Sequence, residues 1–314
     1  MSHYIFGPVN SRRFGSSLGI DLSPDDKRCN FDCLYCELVP KEAQEISDAS
    51  FSHEDVMEEL RLALKQHPKI DVITMTANGE PTMYHGFGDL VDAINTVKGE
   101  SELLILSNSS LLNDLNIQET LMKFDQVKLS LDAVSQDIFM KVDRPHKSID
   151  IEVIKNAMLD FSKKFSGKLI IEILVVKGIN DTYEEIKKLN TFIKKLHPFR
   201  IDLSTIDRPP AYGVEAVSNE SLEKLAALFD EKLPVEIAYR KSKETYQSYY
   251  TPEEIILTLD KRPLTQVDVE MLFDTTAKLH LEALVKSEEV VLHKVNDELF
   301  YILKKNASKK RQKA

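Results

Sequence analysis

The chain has 314 residues, 42% of them hydrophobic and 29% charged, with a formal net charge of −10. That is room for one large domain and one small one, with the balance of an ordinary soluble protein. It leaves no apolar run long enough to span a membrane, and it argues against indiscriminate affinity for nucleic acid.

The opening Met1 to Pro8 lacks the basic start and apolar run of a signal peptide, so a cytoplasmic location is expected, where thiols stay reduced. In chain order, β-branched apolar runs predict strands over 17–22, 70–77, 103–108, 126–132, 168–176 and 200–206. Amphipathic patterns predict helices over 53–66, 87–97, 117–124, 149–165, 183–196 and 221–232. In the fifth of these, Ile186, Leu189, Phe192, Ile193 and Leu196 recur at three- and four-residue steps. Strand and helix alternating about six times implies parallel pairing with crossover helices, a sheet either open or curled toward a barrel. Chemistry in such folds gathers at the C-terminal ends of the strands.

The polar stretch 241–251 reads as a linker between a core at 1–240 and a small unit at 252–304. Pro252 stands at a favourable first helical position. Helices over 252–259, 265–273 and 275–287, then strands over 290–293 and 299–303 about Asn296-Asp297, have the rhythm of a winged helix. Its third helix carries few cations, which argues against duplex DNA and favours contact with protein or packing on the core. The basic tail at 305–314 reads as a disordered, solvated terminus.

Three cysteines, Cys29, Cys33 and Cys36, are the only ones in the chain. Their odd number and crowding exclude a disulfide framework. A closed zinc site wants four protein ligands, and there is no fourth cysteine. Three thiolates suit a 4Fe–4S cluster with one iron left open to a ligand. The histidines show no metal-ligand spacing, and neither a Walker loop nor a nucleophile elbow is present.

Cys29-x-x-x-Cys33-x-x-Cys36, with Tyr35 before the last cysteine, resembles the signature of the radical S-adenosylmethionine superfamily. Later strand ends carry motifs that support the likeness. Asn78-Gly79-Glu80-Pro81 is similar to the family's Gly-Gly-Glu-Pro turn, which receives the methionine ammonium group. Asn78 stands where the family has its first glycine. Ser107 and Asn108 occupy the place of a Thr-Asn-Gly turn. Ser130 and Asp132 resemble positions that contact the ribose or the methionine carboxylate. Arg144 could fork that carboxylate, and Ile179 lies where members pack the adenine. The opening Gly7 to Gly19 and the later Asp207-Arg208-Pro209-Pro210 resemble the branch related to the tRNA wyosine-forming synthases, over about residues 7–240. Those enzymes carry a second cluster on extra cysteines, which this chain lacks.

The resemblance implies a partial (β/α)6 barrel and two cofactors, a 4Fe–4S cluster and S-adenosylmethionine. It implies reductive cleavage of the latter to a 5′-deoxyadenosyl radical, with hydrogen then taken from a substrate: RNA, protein or a small molecule. A reductant such as flavodoxin or ferredoxin is implied as partner. Arg12, Arg13 and Arg208 are candidate anion binders or, equally, mouth ion pairs. The alternative is an iron–sulfur or metal sensor that regulates through the winged helix.

Overall fold

The computed structural model describes residues 4–11, 14–24, 26–45, 52–208, 210–237, 247, 249–261, 263–295 and 298–304. Arg12, Arg13, most of the linker and the basic tail lie outside the described residues.

Each parallel strand is delivered by a crossover, so the strands fall side by side in chain order. The eight are β1 (Ile5–Ser11), β2 (Gly15–Asp21), β3 (Val72–Thr76), β4 (Glu102–Ser107), β5 (Gln126–Ser130), β6 (Lys168–Val175), β7 (Arg200–Thr205) and β8 (Val235–Ile237). β1 pairs antiparallel with β2, and every later neighbour pair is parallel. The helices between them are α1 (His53–Gln66), α2 (Phe87–Val97), α3 (Leu115–Leu121), α4 (Gln136–Val142), α5 (Ile151–Lys164), α6 (Tyr183–Ile193) and α7 (Asn219–Ala226). Side chains stop the fraying at their starts. Ser52, Asp114, Asp150, Thr182 and Ser218 each accept a backbone N–H of the first turn, a cap worth about 1 kcal/mol.

The two faces of the sheet differ, and that difference makes the site. One face carries Leu18, Ile73, Leu103, Val127, Ile171 and Ile201, all fully buried against a helix layer that supplies Leu60, Leu90, Phe161 and Ile193. Each such side chain contributes roughly 1.5–3 kcal/mol on burial. The alternate residues, Ser17, Thr74, Thr76, Lys128, Ser130, Glu172 and Asp202, put polar groups on the opposite face. There Ser17 and Thr74 hydroxyls meet at 2.9 Å, and Lys128 pairs with Glu172 and with Asp202.

The C-terminal elements are α8 (Pro252–Lys261), β9 (Leu264–Thr265), α9 (Gln266–Leu272), α10 (Thr275–Lys286), β10 (Val290–Val295) and β11 (Glu298–Leu303). The three strands form an antiparallel sheet in the order β10-β11-β9. Ile255, Leu259, Phe273 and Leu281 build a separate core there. Tyr250 joins it to the large sheet: its ring lies 4.8 Å from that of Phe273, and its hydroxyl donates to the Pro8 carbonyl at 2.7 Å.

All six strands expected from the sequence are present. β1 and β8 were not expected. β1 shifts its register against β2 between Phe6 and Val9, across Gly7-Pro8, and shows no clean apolar alternation. β8 is a three-residue edge strand, half-buried, with too little apolar alternation to register. α4 is also additional, a helix of only seven residues that buries just Phe139 and Val142. α7 covers 219–226 rather than 221–232; the chain beyond it turns so that the Asp230 N–H reaches Asn190.

Candidate functional site

The cysteine loop leaves the C-terminal end of β2, and neighbouring connectors pin it residue by residue. The His146 N–H donates to Asn30, the Asp32 N–H to the Asp143 and Arg144 carbonyls, and the Leu34 N–H to Val142. From the other side, Ala211 N–H donates to the Cys36 carbonyl at 2.8 Å. Asp32, buried inside the loop, gathers three more partners: Lys27 at 3.0 Å, Arg144 at 3.3 Å and the Tyr212 hydroxyl. Arg144 also stacks 4.6 Å over the Tyr212 ring.

The three thiols face a cavity of about 370 Å³ roofed by this loop and floored by the ends of β3 to β6. A Cβ on Gly79 would fall 1.7 Å from the Arg28 carbonyl oxygen, and its φ is +146°. Only glycine allows the bridge that seats the loop on the β3 turn. Next to it, the buried Glu80 carboxylate accepts from the Thr82 N–H and hydroxyl, the Ser107 hydroxyl and the Asn108 N–H at 2.6–3.1 Å. Burial raises its pKa against the pull of those bonds. The Asn108 amide in turn points at Cys29 Sγ, 3.7 Å away.

Burial pushes the Cys29 thiol up to about 12 and raises Cys33 and Cys36 as well. Burial thus favours the neutral thiols in the metal-free loop, and a metal bound there would have to displace their protons. Cys33 donates to Asp143 at 3.5 Å. Among the described residues, no three His, Cys, Asp or Glu side chains converge as a single metal ion would need. A cubane places each thiolate on its own iron, so three sulfurs spread around one cavity fit it and do not fit a lone ion.

Of the residues singled out from sequence, Cys29, Cys33, Cys36, Tyr35, Gly79, Glu80, Ser107, Asn108 and Ser130 line this cavity. The other five lie elsewhere. Asn78 turns its amide to the Pro24 carbonyl at 3.3 Å. Pro81 opens a buried 3-10 turn, Pro81–Met83. Arg144 is committed to Asp32, and Ile179 packs against the hydrophobic core. Asp132 lies two residues past the end of β5 at Ser130 and is not among the residues that line the cysteine cavity. Its carboxylate instead accepts from the Leu174 N–H at 2.7 Å and the Tyr35 hydroxyl at 2.5 Å. The cavity also contains Lys128, Glu172, Lys27 and Glu37, which the sequence reading passed over. Lys128 was legible, since it lies two residues before Ser130 on the same face. Glu37 pairs with Arg208 at 2.8 Å, so Arg208 is a mouth ion pair.

A parallel α/β sheet with three cysteines at the end of its first parallel strand, facing a polar cavity, defines a protein built to hold a cluster and a ligand together. The Radical SAM superfamily model matches residues 27–190, and the chain belongs to that superfamily. A UPF0026 protein of Helicobacter pylori strain J99 is 38% identical over 299 residues, covering 95% of this chain and 96% of that one. SuiB of Streptococcus suis bound to S-adenosylmethionine shares the fold, with TM-score 0.54, 17% identity, 70% of this chain and 50% of that chain covered. So does TYW1 with a lysine-pyruvate adduct bound, at TM-score 0.51 and 18% identity, over 69% and 74%. The protein is a radical S-adenosylmethionine enzyme, and its cofactors are a 4Fe–4S cluster and S-adenosylmethionine. No helix among the described residues is long and apolar enough to cross a membrane.

Proposed function

We propose that Cys29, Cys33 and Cys36 hold the cluster and that S-adenosylmethionine lies in the cavity between them and the ends of β3 to β6. Bound there, the two cofactors would supply a 5′-deoxyadenosyl radical by one-electron reductive cleavage of a carbon–sulfur bond of the sulfonium, for abstraction of a hydrogen atom from the substrate. The observation that carries this reading is the convergence of three buried thiols with Gly79, Glu80, Ser107, Asn108 and Ser130 on one cavity.

The protein's own part is orientation and exclusion of water. Glu80 fixes the ends of β3 and β4 relative to each other, and Asn108 directs an N–H at Cys29. Tyr35, anchored by Asp132, forms part of the wall. Asn78, Pro81, Asp132 and Arg144 support this arrangement from behind, and Ile179 does so through the core. Substrate enters past Glu37 and Arg208. We take it to be a nucleotide or peptide residue of a larger partner, gripped by the winged-helix-like unit. One relative, a GTP 3′,8-cyclase of Nautilia profundicola, 28% identical over 225 residues, is named for a nucleotide. The stretch Gly7 to Gly19 and Asp207-Arg208-Pro209-Pro210, by their resemblance to the wyosine-forming synthases, support that branch. The exposed residues of α10 are Thr275, Thr276, Leu279, Glu282, Ala283 and Lys286, a surface suited to protein or packing rather than duplex DNA. Nothing favours the sensor alternative.

The test is anaerobic reconstitution followed by dithionite and S-adenosylmethionine. Release of 5′-deoxyadenosine is expected. A fully loaded cluster that leaves S-adenosylmethionine intact and unbound would sink the reading.

A further inference from the structure

A second concavity, of about 560 Å³, runs between α5 and α6 on the helix side of the sheet. Four lysines, Lys155, Lys187, Lys188 and Lys195, line it against two glutamates, Glu152 and Glu184, over a floor that includes Leu159 and Phe192. On a chain of net charge −10 this is a local reversal of sign. Lys155 and Lys188 are tied to Glu152 and Glu184 at 2.6 and 3.7 Å. Lys187 and Lys195 are exposed, and neither has a carboxylate partner among the described residues.

The groove shares no lining residue with the cysteine cavity, so a substrate held in it could not present an atom to the radical. An electron needs no open passage. The face of α5 opposite the groove offers Ile151 and Ile154 to a small space that also touches Tyr35, Asp132 and Asp143. Asp143 meets Cys33, and Asp132 meets Tyr35. The groove and the cluster loop are thus separated by roughly one helix, about 10 Å across. Val134, in the groove wall, follows Asp132 by two residues.

We infer that this groove docks a small acidic one-electron carrier protein, which reduces the cluster through α5; the inference rests on the cofactor reading above. The carrier is oxidised by one electron and the cluster is reduced by one, with no bond made or broken in the groove. A partner of the same sign as the chain is repelled overall, and a confined lysine patch is what steers it to one place. The groove lies behind the cluster loop and apart from the cysteine cavity, a place from which an electron but not a substrate atom can reach the site, and this favours a carrier over RNA as the occupant.

The experiment uses the reconstituted full chain and its double variant Lys187→Glu/Lys195→Glu. Cluster bleaching and 5′-deoxyadenosine release are followed with reduced flavodoxin and, separately, with dithionite. With flavodoxin the variant should be slower by about tenfold or more at low salt, and its rate should lose its salt dependence. With dithionite the two proteins should agree. Carbodiimide should cross-link flavodoxin to Lys187 or Lys195 whether or not the enzyme turns over. Equal flavodoxin rates in variant and parent, or cross-links confined to another face, would overturn the inference. So would a loss of bulk tRNA binding in the variant with flavodoxin rates unchanged, which would make the groove an RNA contact. No cleavage by the parent with dithionite would instead count against the cofactor reading alone.

Discussion

Each cysteine of the loop sits in a different electrostatic setting. Cys29 faces the Asn108 amide, Cys33 donates to buried Asp143, and Cys36 lies in the field of Lys27. Replacing any one by alanine is expected to abolish stable cluster loading, measured as iron and sulfide per chain. Unchanged iron in the three variants would contradict the assignment. The acids behind the loop make a pH prediction. Burial raises Asp132 to about 6 and Asp143 well above the carboxylate range, and the two carboxyls are hydrogen-bonded to each other. The folded state therefore holds protons that the unfolded chain releases near pH 4. This pair's contribution to stability is greatest in acid, and it falls as pH rises from about 4 through 6 and beyond. Asp143→Asn should flatten that fall in metal-free protein, seen as a smaller drop in melting temperature between pH 5 and pH 8. Gly79→Ala belongs at this scale too. With the Arg28 backbone in the way and φ at +146°, it should cost at least about 2 kcal/mol and show as a lower urea midpoint.

At the scale of elements, the decisive feature is that the cysteine loop contains no helix or strand of its own and borrows its shape from two connectors. The link from α4 to α5 holds it through backbone bonds at 142–146, and the link after β7 holds it through Ala211, Tyr212 and Arg208. Asp32 is where these ties cross. Removing its carboxylate leaves Lys27 buried without its counter-charge, so Asp32→Ala should cost about 3 kcal/mol in the metal-free chain. It should also weaken iron retention. Asp32→Asn keeps the hydrogen-bonding shape and should lie between the two. If Asp32→Ala matched the parent in both urea midpoint and iron content, the crossing point would have been misplaced. α4 was missed in the sequence for the same reason that it matters. It is too short to show a period, yet it delivers Asp143 and Arg144 under the loop.

At the scale of the whole molecule, two cores divide the work. The large one carries the sheet and the cysteine cavity, and the small one packs on β1 through α8 and Tyr250. A chain ending after residue 250 is expected to load iron and to cleave S-adenosylmethionine with dithionite, because among the described residues none that lines the cavity lies beyond Arg208. It should lose activity on the natural substrate if the small unit grips it. Failure of the shortened chain to load iron would mean that the two parts fold only together. Local sequence determined a good deal unaided. The three thiols, the glycine–acid turn, the six strands and most helices are written in residue type and period, which depend on near neighbours. Where Asp132 and Arg144 point, the Lys128–Glu172 pair within an apolar strand, and the lysines brought together from α5 and α6 were decided by tertiary structure. The reason is physical: a strand's alternation stops where its pairing stops, and a charge far along the chain becomes a partner only once the sheet has put it within reach.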